Sequence, residues 1–352
     1  MRVLSSSLLL LLCVSVQPLN LSVSGAAAWV YDTTGGQPAE WADDISHFNL
    51  AAASPLSVIF SYGGDMEYYP NSPQPFMTYF PSASVAAAES YNATPGVAHV
   101  ITVIDGRMDG GEAYSPDLSK LTPQQLIEWA NGVAELYCSY DVVSGIQLDL
   151  EPFSGKYVDP LLLFLTALSA NLRSPERNCV NSMHPAGRFI TTFLFAEALT
   201  AEVWAALGPN GFATISGYDL SSAPAGTPST PAVYGARLRA ALANASASAA
   251  AHNGSYFVGI PAAASAHEFE TFNFANGTVV TGAPQLDYLE TALAALAAGA
   301  TGMPGYLGPA LWGFSPEMGF PPHSGNFFSP GNPFVDKGEE KLLEEELVSA
   351  RL

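Results

Sequence analysis

The sequence predicts a single α/β domain with the (β/α)8 TIM-barrel fold, because eight strand-like segments follow one another with mostly helical segments between them. The chain has 352 residues and is 48% hydrophobic, which is enough for one large core. A doubly wound open sheet is the alternative, but the number of units and the missing dinucleotide fingerprint count against it. The predicted strands span 28–32, 56–62, 97–104, 144–151, 188–195, 212–218, 255–262 and 305–314.

Helical segments fill most of the intervals between these strands. Thr122 followed by Pro123 is typical of a helix start, with Thr as the N-cap and Pro at the first helical position, and Cys138 ends this helix. Further predicted helices span 39–52, 160–172, 231–251 and 284–298.

Two of the intervals carry other signals. Asn276-Gly277 between apolar residues predicts a small β-hairpin over 271–282. Five aromatic residues occur over 68–80, and they form either a sugar-stacking surface or ordinary packing.

The fourth predicted strand, residues 144–151, is called the acidic strand below. Side chains alternate between the two faces of a strand. One face carries Ile146, Leu148 and Leu150, and the other carries Gln147, Asp149 and Glu151. This pattern fits a barrel strand whose outer face packs on helices and whose inner face opens into a site at its C-terminal end. The alternative is a capped strand end with solvated acids.

The first 28 residues have the features of a secretory signal. Arg2 gives the positive start, 8–16 the short apolar core and 24–28 the small-residue cleavage region. A membrane anchor is the alternative, but the apolar run is too short to span a bilayer. We therefore expect a signal peptide over 1–28, a barrel over 29–334, and a charged tail over 335–352.

Export to an oxidising compartment bears on the cysteines and the sequons. Cys13 leaves with the signal, so Cys138 and Cys179 remain, either as a disulfide at the N-terminal face of the barrel or as two separate buried thiols. Glycosylation is expected if the host performs it. The candidate sites are Asn92, Asn244, Asn253 and Asn276.

The charge of the chain limits its partners. The net charge is −20, from 12 Lys and Arg against 32 Asp and Glu, and such a surface repels nucleic acid and anionic lipid. A neutral polysaccharide is not repelled. The six His residues show no metal-ligand spacing and there is no phosphate-binding loop, so we expect no metal and no cofactor. We also expect a secreted monomer.

Catalytic groups of a barrel lie at the C-terminal ends of its strands. These ends carry Asp149, Glu151, Tyr218, Asp219 and Trp312. Tyr62, Asp105 and Phe195 are assigned to the same rim on weaker grounds. Two acids, a phenol and an indole are the groups that cleavage of a sugar linkage needs: a proton donor, an orienting partner and a flat apolar floor.

These strand ends resemble glycoside hydrolase family 18, the chitinases and endo-β-N-acetylglucosaminidases. The family motif D-G-x-D-x-D-x-E is similar to Ser144-Gly145-Ile146-Gln147-Leu148-Asp149-Leu150-Glu151. The family's M-x-Y-D, G-x-P and strand-eight Trp are similar to Ser216-Gly217-Tyr218-Asp219, Gly259-Ile260-Pro261 and Trp312. These matches follow the family's order over nearly the whole chain after the signal.

The resemblance implies a role for each matched residue. Glu151 would protonate the leaving oxygen, and the substrate's own acetamido oxygen would attack the anomeric carbon. Asp149 would orient that acetamido group, and Tyr218 would hold it by a hydrogen bond. A negative Asp149 nearby would raise the proton affinity of Glu151. Gln147, Asp219, Trp312 and Tyr62 would contact the substrate.

The sequence departs from the family at several positions. Ser144 and Gln147 stand where the family has Asp, and Gln147 can hydrogen-bond to Asp149 but cannot take its proton. Ser216 stands where Met is usual. The family's S-x-G-G occurs here as Ser61-Tyr62-Gly63-Gly64, on the second strand rather than the third.

The sequence thus predicts an atypical family member, and its first function is hydrolysis of β-1,4-linked N-acetylglucosamine. The alternative is a barrel that binds glycans without cutting them. Retention of Asp149 and Glu151 favours the enzyme, and loss of the flanking acids favours the lectin. A barrel acting on an unrelated sugar is a third hypothesis.

Overall fold

The computed structural model describes residues 26–30, 38–51, 55–72, 75–111, 114–218, 220, 230–261, 285–300 and 302–312. The strands are β1 (Ala26–Val30), β2 (Leu56–Tyr68), β3 (Phe76–Thr78), β4 (His99–Arg107), β5 (Gly145–Glu151), β6 (Phe189–Leu194), β7 (Gly211–Ser216), β8 (Tyr256–Pro261) and β9 (Tyr306–Trp312). The helices are α1 (Pro38–Ala51), α2 (Ser82–Asn92), α3 (Pro123–Cys138), α4 (Val158–Asn171), α5 (Ala201–Leu207), α6 (Pro231–His252) and α7 (Gln285–Ala300).

Eight parallel strands form a closed barrel, which confirms the predicted (β/α)8 fold. The order around the barrel is β1-β2-β4-β5-β6-β7-β8-β9, and β1 pairs with both β2 and β9 to close it. Residues 1–25 of the predicted leader, the predicted hairpin and the predicted C-terminal tail lie outside the described residues.

The first strand begins earlier than predicted. Ala26, Ala27 and Ala28 are fully buried in β1, where Ala26 pairs with Leu56 and Ala28 with Ile59 on β2. The predicted boundary after residue 28 therefore falls inside β1, whereas the signal peptide itself stays a prediction. These small residues fit the closely packed barrel wall as well as they fit a cleavage site, which is why the sequence alone did not separate the two.

The second strand runs further than predicted and leaves the barrel. After a register shift between Tyr62 and Gly64, β2 continues to Tyr68 and pairs antiparallel with β3. Gly64 has φ of +117°, and a Cβ there would lie 2.1 Å from the carbonyl oxygen of Tyr79, so glycine is needed at this bend. Two of the aromatic residues of 68–80, Tyr68 and Phe76, therefore lie on a hairpin at the C-terminal end of the barrel.

Helix α3 begins as its sequence predicts. The Thr122 hydroxyl accepts from the Gln125 amide, and the Gln125 side chain accepts from the Thr122 amide, forming a capping box. Helices α2 and α5 were not predicted, because α2 has no side-chain cap and α5 has only seven residues.

The N-terminal end of the barrel is closed by covalent and polar contacts. Cys138 and Cys179 form a disulfide, which confirms one of the two predicted alternatives. Beside it, the buried Arg188 guanidinium donates to the backbone carbonyls of Asp141, Val143 and Cys138. Above them, an apolar cluster lies in the barrel interior. It contains Ala27, Trp29, Val58, Phe60, Ile101, Val103, Phe189, Phe212, Phe257 and Ala310.

Candidate active site

A cavity of about 450 Å³ opens at the C-terminal ends of the strands. Asp149, Glu151, Tyr218 and Trp312 all line it, although they come from β5, the segment after β7, and β9. Phe195, which the sequence placed on the rim on weaker grounds, also lines it. The structure thus brings the predicted acids, phenol and indole into one place.

Three predicted site residues are not placed in this cavity. Asp219 lies outside the described residues. Tyr62 lies on β2 beside Asp65 and Tyr79, and burial together with a hydrogen bond to Asp65 raises the pKa of the Tyr62 phenol. Gln147 has no exposed surface and does not line the cavity, so it cannot touch a substrate there.

The acidic strand grades from buried to exposed along its inward face. Gln147 is fully buried, Asp149 is partly buried at the cavity wall, and Glu151 is exposed at the mouth. The outward residues Ile146 and Leu148 pack under the helices, as the alternation predicts. The alternative of a capped strand end with solvated acids does not describe this arrangement.

Asp149 holds a proton more tightly than an ordinary aspartate. Its pKa is raised from 3.8 to about 7, first by burial, then by the charge of Asp105 and then by that of Glu151. Asp105 is its direct neighbour in the register of β4 and β5. Whereas the resemblance implies a negative Asp149, the structure leaves this carboxyl partly protonated at neutral pH.

Tyr218 is held by its own segment and by α6. The Ser216 hydroxyl donates to the carbonyl of Tyr218 at 2.6 Å, and the Tyr218 amide donates to the Ser216 hydroxyl oxygen at 3.2 Å. The Tyr234 hydroxyl donates to the carbonyl of Gly217 at 2.9 Å. Ser216, which departs from the family pattern, therefore fixes the turn that presents Tyr218. The Tyr218 ring stacks on Phe193 with centroids 5.7 Å apart.

Aromatic rings that the sequence analysis did not select complete the cavity. Trp29 meets Trp312 edge-on at 6.3 Å and Phe193 edge-on at 6.0 Å. Trp29 and Phe193 line the cavity and sit on predicted strands, facing inward by the two-residue period. That period was the available signal, but it does not by itself separate a cavity residue from a core residue.

Part of the predicted aromatic segment, residues 68–80, packs against helix α3. Phe76 stacks on Trp129 of α3 at 4.7 Å, and Phe80 contacts Tyr137 of the same helix at 5.0 Å. Tyr79 stays exposed, and the sugar-stacking hypothesis for it stays a prediction.

Two further predictions concern ions and the surface. Within the described ranges, no group of three or more His, Cys, Asp or Glu side chains is arranged to hold a metal ion. In the same part of the chain, no helix combines the length and the apolar character that crossing a bilayer requires. Asn92, Asn244 and Asn253 are exposed, whereas Asn276 lies outside the described residues.

Comparison with known proteins gives a structural answer only. No family model matches the chain, and no curated protein matches it. The catalytic domain of a GH18 chitinase from the fern Peteris ryukyuensis aligns with a TM-score of 0.51 and 12% identity, over 92% of this chain and 98% of that one. A GH18 chitinase from Pseudoalteromonas aurantia aligns with a TM-score of 0.50 and 14% identity, over 82% of this chain and 93% of that one.

A third similar structure is YKL-39, which was solved in the presence of chitooligosaccharides. Its TM-score is 0.50 at 9% identity, over 84% of this chain and 93% of that one. The chain shares the fold of the family 18 chitinases. At these identities the likeness establishes the (β/α)8 barrel fold and not an activity.

Proposed function

We propose that this protein is a secreted glycoside hydrolase that cleaves β-1,4-linked N-acetylglucosamine, in chitin or in N-glycan cores. The observation that carries the proposal is that Asp149, Glu151, Tyr218 and Trp312 line one cavity at the end of the barrel where active sites lie. The fold shared with chitinases supports it.

In the proposed reaction the substrate supplies its own nucleophile. Glu151, exposed at the cavity mouth, donates a proton to the leaving oxygen while the acetamido oxygen attacks the anomeric carbon. Water then opens the cyclic intermediate, with Glu151 taking the proton back, so the product keeps the starting configuration. Each step conserves charge within the substrate and this one carboxyl group.

The other cavity residues position the sugar. The Tyr218 phenol, fixed through Ser216, hydrogen-bonds the acetamido group, and Asp149 on β5 contacts the same group. Trp312 provides a flat apolar surface for one face of the ring, and Trp29 meets Trp312 edge-on at the cavity wall.

A glycan-binding barrel without hydrolysis is the second candidate, and one observation favours it. With a pKa of about 7, Asp149 is only partly ionised at neutral pH, so it stabilises a positively charged intermediate less than a full carboxylate would.

The test measures cleavage and binding together. The wild-type protein, Glu151→Gln and the control Glu197→Gln are incubated with N-acetylglucosamine oligomers. Glu197 is also exposed on the same rim, but it does not line the cavity. We expect wild type and Glu197→Gln to cleave, and Glu151→Gln to bind without cleaving. Binding by all three with cleavage by none would establish the lectin, and neither binding nor cleavage by wild type would overturn both proposals.

A further inference from the structure

The fully buried amide of Gln147 uses both of its ends. Its Oε1 accepts from the indole Nε1 of Trp29 at 2.5 Å, and its Nε2 donates to the Thr214 hydroxyl at 3.1 Å. The Thr214 hydroxyl is in turn 3.1 Å from the Thr191 hydroxyl. These four side chains come from β1, β5, β7 and β6, so the chain of hydrogen bonds ties four strands together inside the barrel.

A neutral amide fits this place because it accepts at one end and donates at the other without burying a charge. An indole nitrogen can only donate, so the carbonyl oxygen of the amide must face Trp29, and the NH2 group then faces Thr214. A carboxylate would accept from both Trp29 and the Thr214 hydroxyl, but it would bury a negative charge among neutral side chains. An apolar side chain would leave the buried indole N–H unpaired, which costs about 1–3 kcal/mol.

Trp29 links this amide to the cavity. Its indole stacks on Phe60 below at 5.0 Å, and its edge meets Trp312 and Phe193 at the cavity wall. Below the ring, a Cβ at Gly259 would lie 3.2 Å from the Trp29 indole and 3.3 Å from the Tyr218 ring. The orientation of one indole thus affects two other rings that line the cavity, those of Trp312 and Phe193.

We propose that Gln147 is a positioning residue that fixes the aromatic floor of the cavity through Trp29, and that it neither touches substrate nor exchanges a proton with Asp149. That a sugar occupies this floor rests on the proposed function, whereas the hydrogen bond between Gln147 and Trp29 does not depend on it. From the sequence, Gln147 was interpreted as a residue that cannot exchange a proton with Asp149. We instead assign Gln147 an uncharged structural role.

The first measurement needs no ligand. In protein with ¹⁵N-labelled tryptophan, the Trp29 indole proton is assigned by its loss in Trp29→Phe, and its exchange with solvent is compared among variants. Gln147→Leu removes the acceptor, and Thr214→Val removes only the partner beyond it. We expect the exchange of the Trp29 proton to rise about tenfold or more in Gln147→Leu and to stay near wild type in Thr214→Val.

The indoles of Trp41, Trp129 and Trp204 are internal references, because all three lie on the helices outside the barrel. Unchanged signals from them show that a variant is folded. An unchanged Trp29 exchange rate in folded Gln147→Leu would overturn the proposal, whether or not the protein binds sugar.

The second measurement uses an N-acetylglucosamine tetramer as the probe. We expect Gln147→Leu to bind it about tenfold more weakly, with KM raised more than kcat falls and with the pH of maximal activity unchanged. Gln147→Glu, measured at acidic pH where the carboxyl is neutral, offers the same acceptor and donor and should restore the affinity. A shifted pH optimum in Gln147→Leu, at unchanged affinity, would contradict positioning and support a role in proton transfer.

Discussion

The two ends of the barrel use polar groups in opposite ways. At the N-terminal end, the buried Arg188 gives its protons to backbone carbonyls beside the Cys138–Cys179 disulfide. At the C-terminal end, Asp149 is crowded by the charges of Asp105 and Glu151. One end carries a buried cation that donates to carbonyl oxygens, and the other accumulates like charge at a cost in free energy. The difference indicates where stability is stored and where a ligand is expected.

The acidic strand β5 extends from the barrel interior to the C-terminal end, so its residues lie in two different environments. Its buried residue Gln147 is neutral and fully hydrogen-bonded, as the interior requires. Its last residue Glu151 is exposed in the cavity, free of that requirement. The predictions below alter one end at a time and ask whether the other responds.

Removing the disulfide should have the largest effect on stability. The double variant Cys138→Ser/Cys179→Ser opens a link across a sequence separation of 41 residues, which is worth about 4 kcal/mol in the chain-entropy model. Chemical denaturation should show this loss, while the folded fraction keeps the wild-type affinity for sugar. A weakened affinity at full folding would mean that the two ends are coupled.

Replacing Arg188 by methionine should come next. The buried carbonyls of Val143, Cys138 and Asp141 lose their donor, so we expect the free energy of unfolding to fall by about 3 kcal/mol. Urea titration measures this. Arg177→Met is the control, because Arg177 lies on the same face and bonds one side-chain amide. Equal losses in the two variants would contradict the role assigned to Arg188.

Asp149 should make stability fall as pH rises. Between pH 3.8 and about 7 the folded protein keeps a proton that the unfolded chain has lost. The free energy of unfolding therefore decreases through this window, by at most about 1.4 kcal/mol per pH unit, and levels off above it. Asp149→Asn should lose this slope, so its stability relative to wild type should increase with pH. Parallel curves for the two proteins would contradict the raised pKa of Asp149.

Tyr218→Phe should change activity and not stability. The ring keeps its stacking on Phe193, but the phenol oxygen is gone, and one hydrogen bond lost in the transition state lowers turnover about tenfold. Rates on N-acetylglucosamine oligomers and thermal melting measure the two effects. Tyr114→Phe, at an exposed ring outside the cavity, should leave both unchanged. A large fall in melting temperature for Tyr218→Phe would instead make this phenol structural.

The smallest expected change concerns the start of the chain. If the proposed secretion removes a leader, sequencing the secreted protein should find its first residue at or before Ala26, because Ala26 to Ala28 are buried in β1. A first residue at Trp29 would remove three barrel positions and would contradict this boundary.

Local signals carried the sequence prediction a long way. The capping residues of α3 and the alternation of β5 are local patterns, and the strand ends follow from them. Contacts between residues that are distant in sequence could not be predicted from such local patterns. Trp29 and Gln147 are 118 positions apart, and Asp149 owes part of its raised pKa to Asp105 on another strand. Their effects depend on barrel register, which one sequence read locally does not provide.

The most direct test of the account is to locate a bound sugar with the five tryptophans. Glu151→Gln with ¹⁵N-labelled tryptophan is titrated with an N-acetylglucosamine tetramer, so that the ligand is not consumed. Trp29 and Trp312 line the cavity, whereas Trp41, Trp129 and Trp204 lie on surrounding helices. The account predicts that the indole signals of Trp29 and Trp312 shift together with one affinity while the other three stay fixed. Shifts confined to the helix tryptophans, or none at saturating sugar, would contradict it.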